Sequence, residues 1–228
     1  MLKLEQVAKH YQVGGGDPIR ALDGVSLTVE AGELVVIFGP SGSGKTTLLD
    51  IISGVRKPDR GKVIVNGRNL ADMSRREADT YRLRELGIID QADALFPGDR
   101  AIRNACLKLW LTNRRNAEAI VEPLLVRLGL GDRLDHPTEL LSMGERQRLS
   151  IARALALDPK IVLADEPTAN LDSRRTSEVL GLLRELCTEH GTVTLLATHD
   201  EKATAFADRA YELDEGRLRP FGNDRGAS

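Results

Sequence analysis

The chain has 228 residues, with 32 Lys and Arg against 34 Asp and Glu, and its formal charge of −2 excludes the electrostatic footprint of general nucleic-acid binding. The length suffices for one full core, and the two cysteines, Cys106 and Cys187, stand far apart, so they read as buried thiols of a reducing compartment. No run approaches the roughly 18 apolar residues of a membrane span and no signal peptide opens the chain, so a soluble cytoplasmic protein is expected, with any membrane connection made through a partner.

In chain order, Leu2, Leu4 and Val7 begin an alternation that continues past a Gly14-Gly15-Gly16-Asp17-Pro18 turn to Val25, Leu27 and Val29, which predicts an antiparallel edge of strands. Tyr11 stands just before the turn. Its spacing alone favours covering a strand edge over stacking on a nucleotide base. The β-branched run Leu34-Val35-Val36-Ile37-Phe38 predicts a strand buried on both faces of a parallel sheet. Leu48, Leu49, Ile51 and Ile52 then recur at helical spacing until Gly54.

Between strand and helix lies Gly39-Pro40-Ser41-Gly42-Ser43-Gly44-Lys45-Thr46, followed by Thr47, and it reads as a phosphate cradle. Glycines let consecutive backbone N–H groups turn inward on a polyphosphate, and the helix N-terminus adds partial positive charge. Lys45 has the reach for β- and γ-phosphates, and Thr46 offers a hydroxyl to Mg²⁺.

Lys62 to Val65 predicts a short strand closing on the Asn66-Gly67 turn, and Met73 to Leu86 a solvated, Arg- and Glu-rich helix. Leu86-Gly87-Ile88-Ile89 returns to strand, with Gln91 near its end, where side chains point into ligand crevices. Residues 93–157 lack β-branched runs and read as helical, an insertion into an α/β core. Within them Trp110 reads as packing, His136 as structural, and Ser142-Met143-Gly144-Glu145 as a capping box opening a helix to about Leu157. That helix N-terminus is also a second anion site.

Ile161 to Ala164 predicts another buried strand, ending in Asp165 and Glu166 at the carboxyl edge where α/β sheets bind ligands. Two acids there are costly unless a metal or a proton-transfer task occupies them, the other reading being helix capping ahead of Pro167. Val193 to Ala197 repeats the strand pattern, with His199 at its end beside the same crevice.

In order and spacing these residues resemble the ATP-binding subunit of an ABC transporter, from Leu2 to about Leu218. The resemblance implies an α/β fold: a P-loop NTPase (RecA-like) core at about 1–92 and 158–221, with an antiparallel β edge, an inserted helical subdomain at about 93–157 and a frayed tail at 222–228. It makes Gly39 to Thr46 the Walker A loop, Tyr11 the adenine-stacking aromatic, and Gln91 the glutamine touching Mg²⁺ and attacking water. Leu141 to Glu145 matches the signature motif, with Ser142 and Gly144 completing the site of a second copy, and Ile161 to Glu166 matches Walker B. Asp165 would hold Mg²⁺, Glu166 would be the general base, Ala169-Asn170-Leu171-Asp172 would be the D-loop, and His199 would contact the γ-phosphate.

Ala164 to Asp172 and the segment from Asn66-Gly67 to Arg84 look most like the lipoprotein-releasing, macrolide-export and cell-division subgroup. The implied partners are integral membrane permease subunits and a second copy of this chain, at the inner face of the cell membrane, with ATP and Mg²⁺ bound. A soluble ABC-type ATPase outside transport is the first rival. A regulatory ATP-binding module is the second, and Glu166 and His199 speak against it, since a pure binder needs neither a base nor a γ-phosphate switch. Two positions depart from the family: Met143 replaces the first glycine of the usual Ser-Gly-Gly, and Arg103 stands where relatives often carry an acid.

Overall fold

The computed structural model describes residues 1–12, 18–90, 95–169 and 171–222. Gln91, Asn170, the glycine turn at 13–17 and the tail beyond 222 lie outside the described residues. The elements are β1 (Leu2–Tyr11), β2 (Ile19–Val29), β3 (Leu34–Phe38), α1 (Lys45–Ile52), β4 (Arg60–Val65), β5 (Arg68–Asn69), α2 (Arg75–Arg84), β6 (Leu86–Ile89), α3 (Ala101–Leu111), α4 (Ala117–Arg127), α5 (Met143–Leu155), β7 (Ile161–Asp165), α6 (Ser173–Glu189), β8 (Val193–Thr198), β9 (Arg209–Asp214) and β10 (Arg217–Phe221).

They form two sheets, one ordered β2-β1-β4-β5 and antiparallel, the other ordered β10-β9-β3-β8-β7-β6. In the second, β9, β3, β8, β7 and β6 run parallel and β10 returns antiparallel. Alternation along β3 divides the core. Val35 and Ile37 join Leu48, Leu49, Ile51 and Ile52 of α1 and the inner faces of β1, β2 and β4, whereas Leu34 and Val36 join the side packed with α3, α5 and α6. So α1 is buried between the two sheets, with its N-terminus at the carboxyl end of β3.

The helix expected over 73–86 is shorter, because Ser74 and Glu77 form a capping box that starts α2 at Arg75. Hairpin β9–β10, around Glu215 (φ 44°) and Gly216 (φ 76°), was not anticipated, and it sets Phe221 edge-on to Phe38 with ring centroids 4.5 Å apart. Trp110 is not core packing: it is 40% exposed, with the Arg103 guanidinium 5.5 Å from its ring centroid, because α3 buries Ile102, Cys106 and Leu109 on its other face. Cys106 and Cys187 are free and buried, as expected.

The edge strand β6 is tied to α3 by a cation. Lys108 Nζ donates to the Leu86 carbonyl at 2.5 Å, and burial, then the nearby Arg153, lowers its pKa to about 8. From there up to the ordinary lysine value the unfolded chain binds more protons than the folded one, so this group adds stability as pH rises and loses it as pH falls through about 8. Urea titrations of wild type and Lys108→Met should therefore give a stability difference that shifts in favour of wild type between about pH 7.5 and about pH 10. A difference independent of pH would show that Lys108 titrates as in the unfolded chain.

Candidate functional site

The ends of β3, β7 and β8 meet at one edge of the larger sheet. Gly39 N donates to the Thr198 carbonyl at 3.2 Å, which pins the loop after β3 to the end of β8. A Cβ on Gly39 would stand 2.2 Å from the Leu213 carbonyl oxygen, and one on Gly44, at φ 108°, 2.1 Å from that of Ala21. Only glycine fits at either position. Lys45 folds back across the loop, its Nζ donating to the carbonyls of Gly39 at 2.7 Å and Pro40 at 3.0 Å. Ser43 Oγ is buried in the turn without a hydrogen-bond partner.

Opposite the loop, Thr46 Oγ1 donates to Asp165 Oδ2 at 2.9 Å, joining the first turn of α1 to the end of β7. Burial raises the Asp165 pKa, with the Thr46 hydrogen bond working against it and Glu166 adding to it. Glu166 takes a left-handed conformation, φ 49°, its N–H bonding to the Ala197 carbonyl at 2.8 Å. Its Oε2 accepts from Thr198 Oγ1 at 3.1 Å and lies 2.9 Å from His199 Nδ1. Pro167 begins no helix, so capping does not account for the two acids; α6 starts later and is capped by Asp172, which accepts from Arg175 N at 2.9 Å.

Tyr11, Ser41, Gly42, Gly44, Lys45, Thr46, Thr47, Asp165 and Glu166 line one cavity of about 440 Å³. Gly39, Pro40 and Ser43 complete the loop around it, and His199 joins through Glu166. Ser142, Gly144 and Asp172 do not line it. Ser142 caps α5 by accepting from Glu145 N at 3.3 Å, and the expected capping box is complete, since Ser142 N donates to Glu145 Oε2 at 2.8 Å. Met143 keeps its side chain on its own helix, with Sδ accepting from Arg146 Nη2 at 3.0 Å. Sequence reasoning missed Thr198 as a second partner of Glu166; its place directly before His199, at the end of a buried strand, was the available signal.

The sequence profile of the ABC transporter family matches residues 22–169. The chain belongs to the ABC transporter family. Among its relatives in that family, the lipoprotein-releasing system ATP-binding protein LolD of Shewanella frigidimarina is 42% identical over 221 residues, 96% of this chain and 92% of that protein. The macrolide export ATP-binding/permease protein MacB of Rhodopirellula baltica is 39% identical over 95% of this chain, which spans 32% of MacB. The dimeric bacterial ABC transporter cassette MJ0796 superposes with a TM-score of 0.87 at 34% identity over the full length of both chains, and its dimeric post-hydrolysis state bound to ADP and Pi with a TM-score of 0.85. The fold is thus the expected α/β P-loop cassette, and the relatives fall in the expected subgroup.

In this ABC cassette Gly39 and Gly44 of the loop have no spare room. Gly44→Ala should destabilise the fold by more than about 1 kcal/mol, because the new Cβ meets backbone and the φ is unfavourable for any L side chain. A lowered urea midpoint would show it, and an unchanged midpoint would mean that β2 and the loop separate freely.

Proposed function

We propose that this chain is the ATP-binding and hydrolysing subunit of a membrane complex, working as a pair of copies whose closure on ATP drives permease subunits. What supports this most is the convergence of Lys45, Thr46, Asp165 and Glu166 on one cavity, with Tyr11 also lining it. LolD and MacB point to lipoprotein release or export as the task, and MJ0796 to a dimer. Among the described residues no helix is long and apolar enough to cross a membrane, and in this reading the chain sits on the cytoplasmic face through its partner. Residues 93–157 act as the helical subdomain of the cassette.

In this reading Lys45 leaves the carbonyls of Gly39 and Pro40 for the β- and γ-phosphates, while the N–H groups from Ser41 to Thr47 face the phosphate oxygens. The oxygens of Thr46 and Asp165 suit Mg²⁺, with Gln91 as a further ligand, and a buried Asp165 gains from a cation that holds it ionised. When bound, Mg²⁺ neutralises charge on the phosphate oxygens. Water attacks the γ-phosphorus, the bond to the bridging oxygen breaks, and Glu166 accepts the water's proton, giving ADP and phosphate. Thr198 and His199 orient that carboxylate, and His199 touches the γ-phosphate. Ser142, Gly144 and Asp172 serve the cavity of the second copy.

Exposed Trp110, with the Arg103 guanidinium against its ring on α3, and exposed Phe96, whose backbone is held by Asn104 of the same helix, form the surface we assign to the permease. Arg103→Glu should lower co-purification of the membrane subunit and leave ATP binding unchanged; full retention of the partner would place the docking surface elsewhere.

Lys45→Ala should abolish ATP binding or turnover in a folded protein. Glu166→Gln removes the base and keeps the shape, so ATP should accumulate a dimer detectable by light scattering. The shared site is tested by Ser41→Cys and Ser142→Cys in the full complex. ATP-dependent crosslinking between copies is expected, and its absence would refute the two-copy mechanism.

A further inference from the structure

Asp50 lies four residues after Thr46, one turn further along α1, and its charge acts on Asp165. Arg56 sits in the turn that ends α1. Its backbone N–H bonds to the Asp50 carbonyl at 3.1 Å, and its Nε donates to Asp50 Oδ2 at 2.6 Å. Held there, its guanidinium carbon is 5.7 Å from the centroid of the Tyr11 ring, within cation–π range. Lys9, at 5.9 Å from the same centroid, belongs to β1 itself and is engaged by Asp59 at 2.8 Å.

Tyr11 is the last residue of β1, in the antiparallel sheet, whereas the phosphate loop runs into α1. Without a tie between them, the distance from ring to loop would depend on the rotamer of a side chain at a strand end. The geometry points to Arg56 as a positioning residue for the nucleotide base: anchored on Asp50, it braces the Tyr11 ring against α1 so that base platform and phosphate cradle keep one spacing. This rests on the reading of Tyr11 as the base-stacking residue. A pre-set ring spares ATP the cost of ordering it, so the brace acts on affinity and not on the chemical step. The Arg56 side chain is 49% exposed, so the effect is modest and weakens with salt.

The test compares ATP with inorganic tripolyphosphate, which has no base, by calorimetry on the full chain, alongside steady-state kinetics. Arg56→Gln should weaken ATP binding and raise KM by about twofold to fivefold, leave kcat unchanged, and leave tripolyphosphate affinity unchanged. Asp50→Asn frees the guanidinium and should reproduce the selective loss of ATP relative to tripolyphosphate, since its effect through Asp165 is common to both ligands. Arg56→Lys should recover part of the loss, and in a Tyr11→Ala background Arg56→Gln should add nothing.

Equal loss of ATP and tripolyphosphate affinity in Arg56→Gln, or losses that multiply in the double variant, would overturn the brace. If Tyr11→Ala selectively weakens ATP while Arg56→Gln does not, the platform stands and the brace alone falls. If Tyr11→Ala binds both ligands as wild type does, the platform fails and takes the brace with it. Urea midpoints of each variant separate these outcomes from loss of fold.

Discussion

The loop between β3 and α1 is wedged, backbone against backbone, between two strands from different sheets. Gly39 abuts the Leu213 carbonyl of β9 and Gly44 abuts the Ala21 carbonyl of β2, each at a separation that admits no Cβ. Packing on the two sides of this wedge follows from it. With its start fixed against one sheet and its end against the other, the loop delivers α1 into the space between them, where four of its apolar side chains are buried. Strands with no chemical task thus set the position of the residues that have one, and hairpin β9–β10 supports the loop both through Leu213 and through Phe221 on Phe38.

A second constraint lies in the two acids after β7. Neighbouring residues on a strand point to opposite faces, so Asp165 and Glu166 in regular β geometry would not share a cavity. The left-handed turn at Glu166 breaks the alternation and lets both carboxylates line the same space. That conformation costs on the order of 1 kcal/mol for a residue with a Cβ and persists where the surroundings over-determine it. Here they do: the Ala197 carbonyl takes the Glu166 N–H, and Thr198 and His199 hold its carboxylate. The strain is local, and it sits at the residue proposed to move a proton.

Much of this was legible in the sequence because burial on both faces leaves a plain mark. Strands β3, β7 and β8 read as unbroken apolar runs, and the residues that end them, from Gly39 to His199, fall at one sheet edge by the rule for parallel sheets. What escaped depends on partners remote in sequence. Gly39 read as a phosphate-facing glycine, yet its need for glycine comes from Leu213, 174 positions on. Trp110 read as packing because its neighbours are leucines, but helical rotation turns it outward beside Arg103. The β9–β10 hairpin carries Tyr211 and Leu213 in alternation before Glu215-Gly216, a weaker signal than an Asn-Gly turn. Nothing in the sequence singles out Arg56, and its tie to Tyr11 appears only once α1 lies beside the end of β1.

The helix start at Ser142 shows how a cap and an anion site coexist. Capping uses Ser142 Oγ as an acceptor, toward Glu145 N, and the hydroxyl also serves the Glu145 carboxylate, so the donors left at this helix start are backbone N–H groups. The box also brings the Glu145 carboxylate, held below the usual carboxylate range by the Ser142 backbone N–H, to the end of the helix where an anion would approach. Arg133 Nε meets that carboxylate at 3.0 Å and offsets the charge. Met143, the departure from the family pattern, adds no charge and lies against Arg146 on its own helix, so the first turn keeps its free N–H groups. One chain therefore carries a helix end with donors to spare that does not line its own cavity, and the two-fold pairing proposed above would bring each such end to the other copy's phosphate loop.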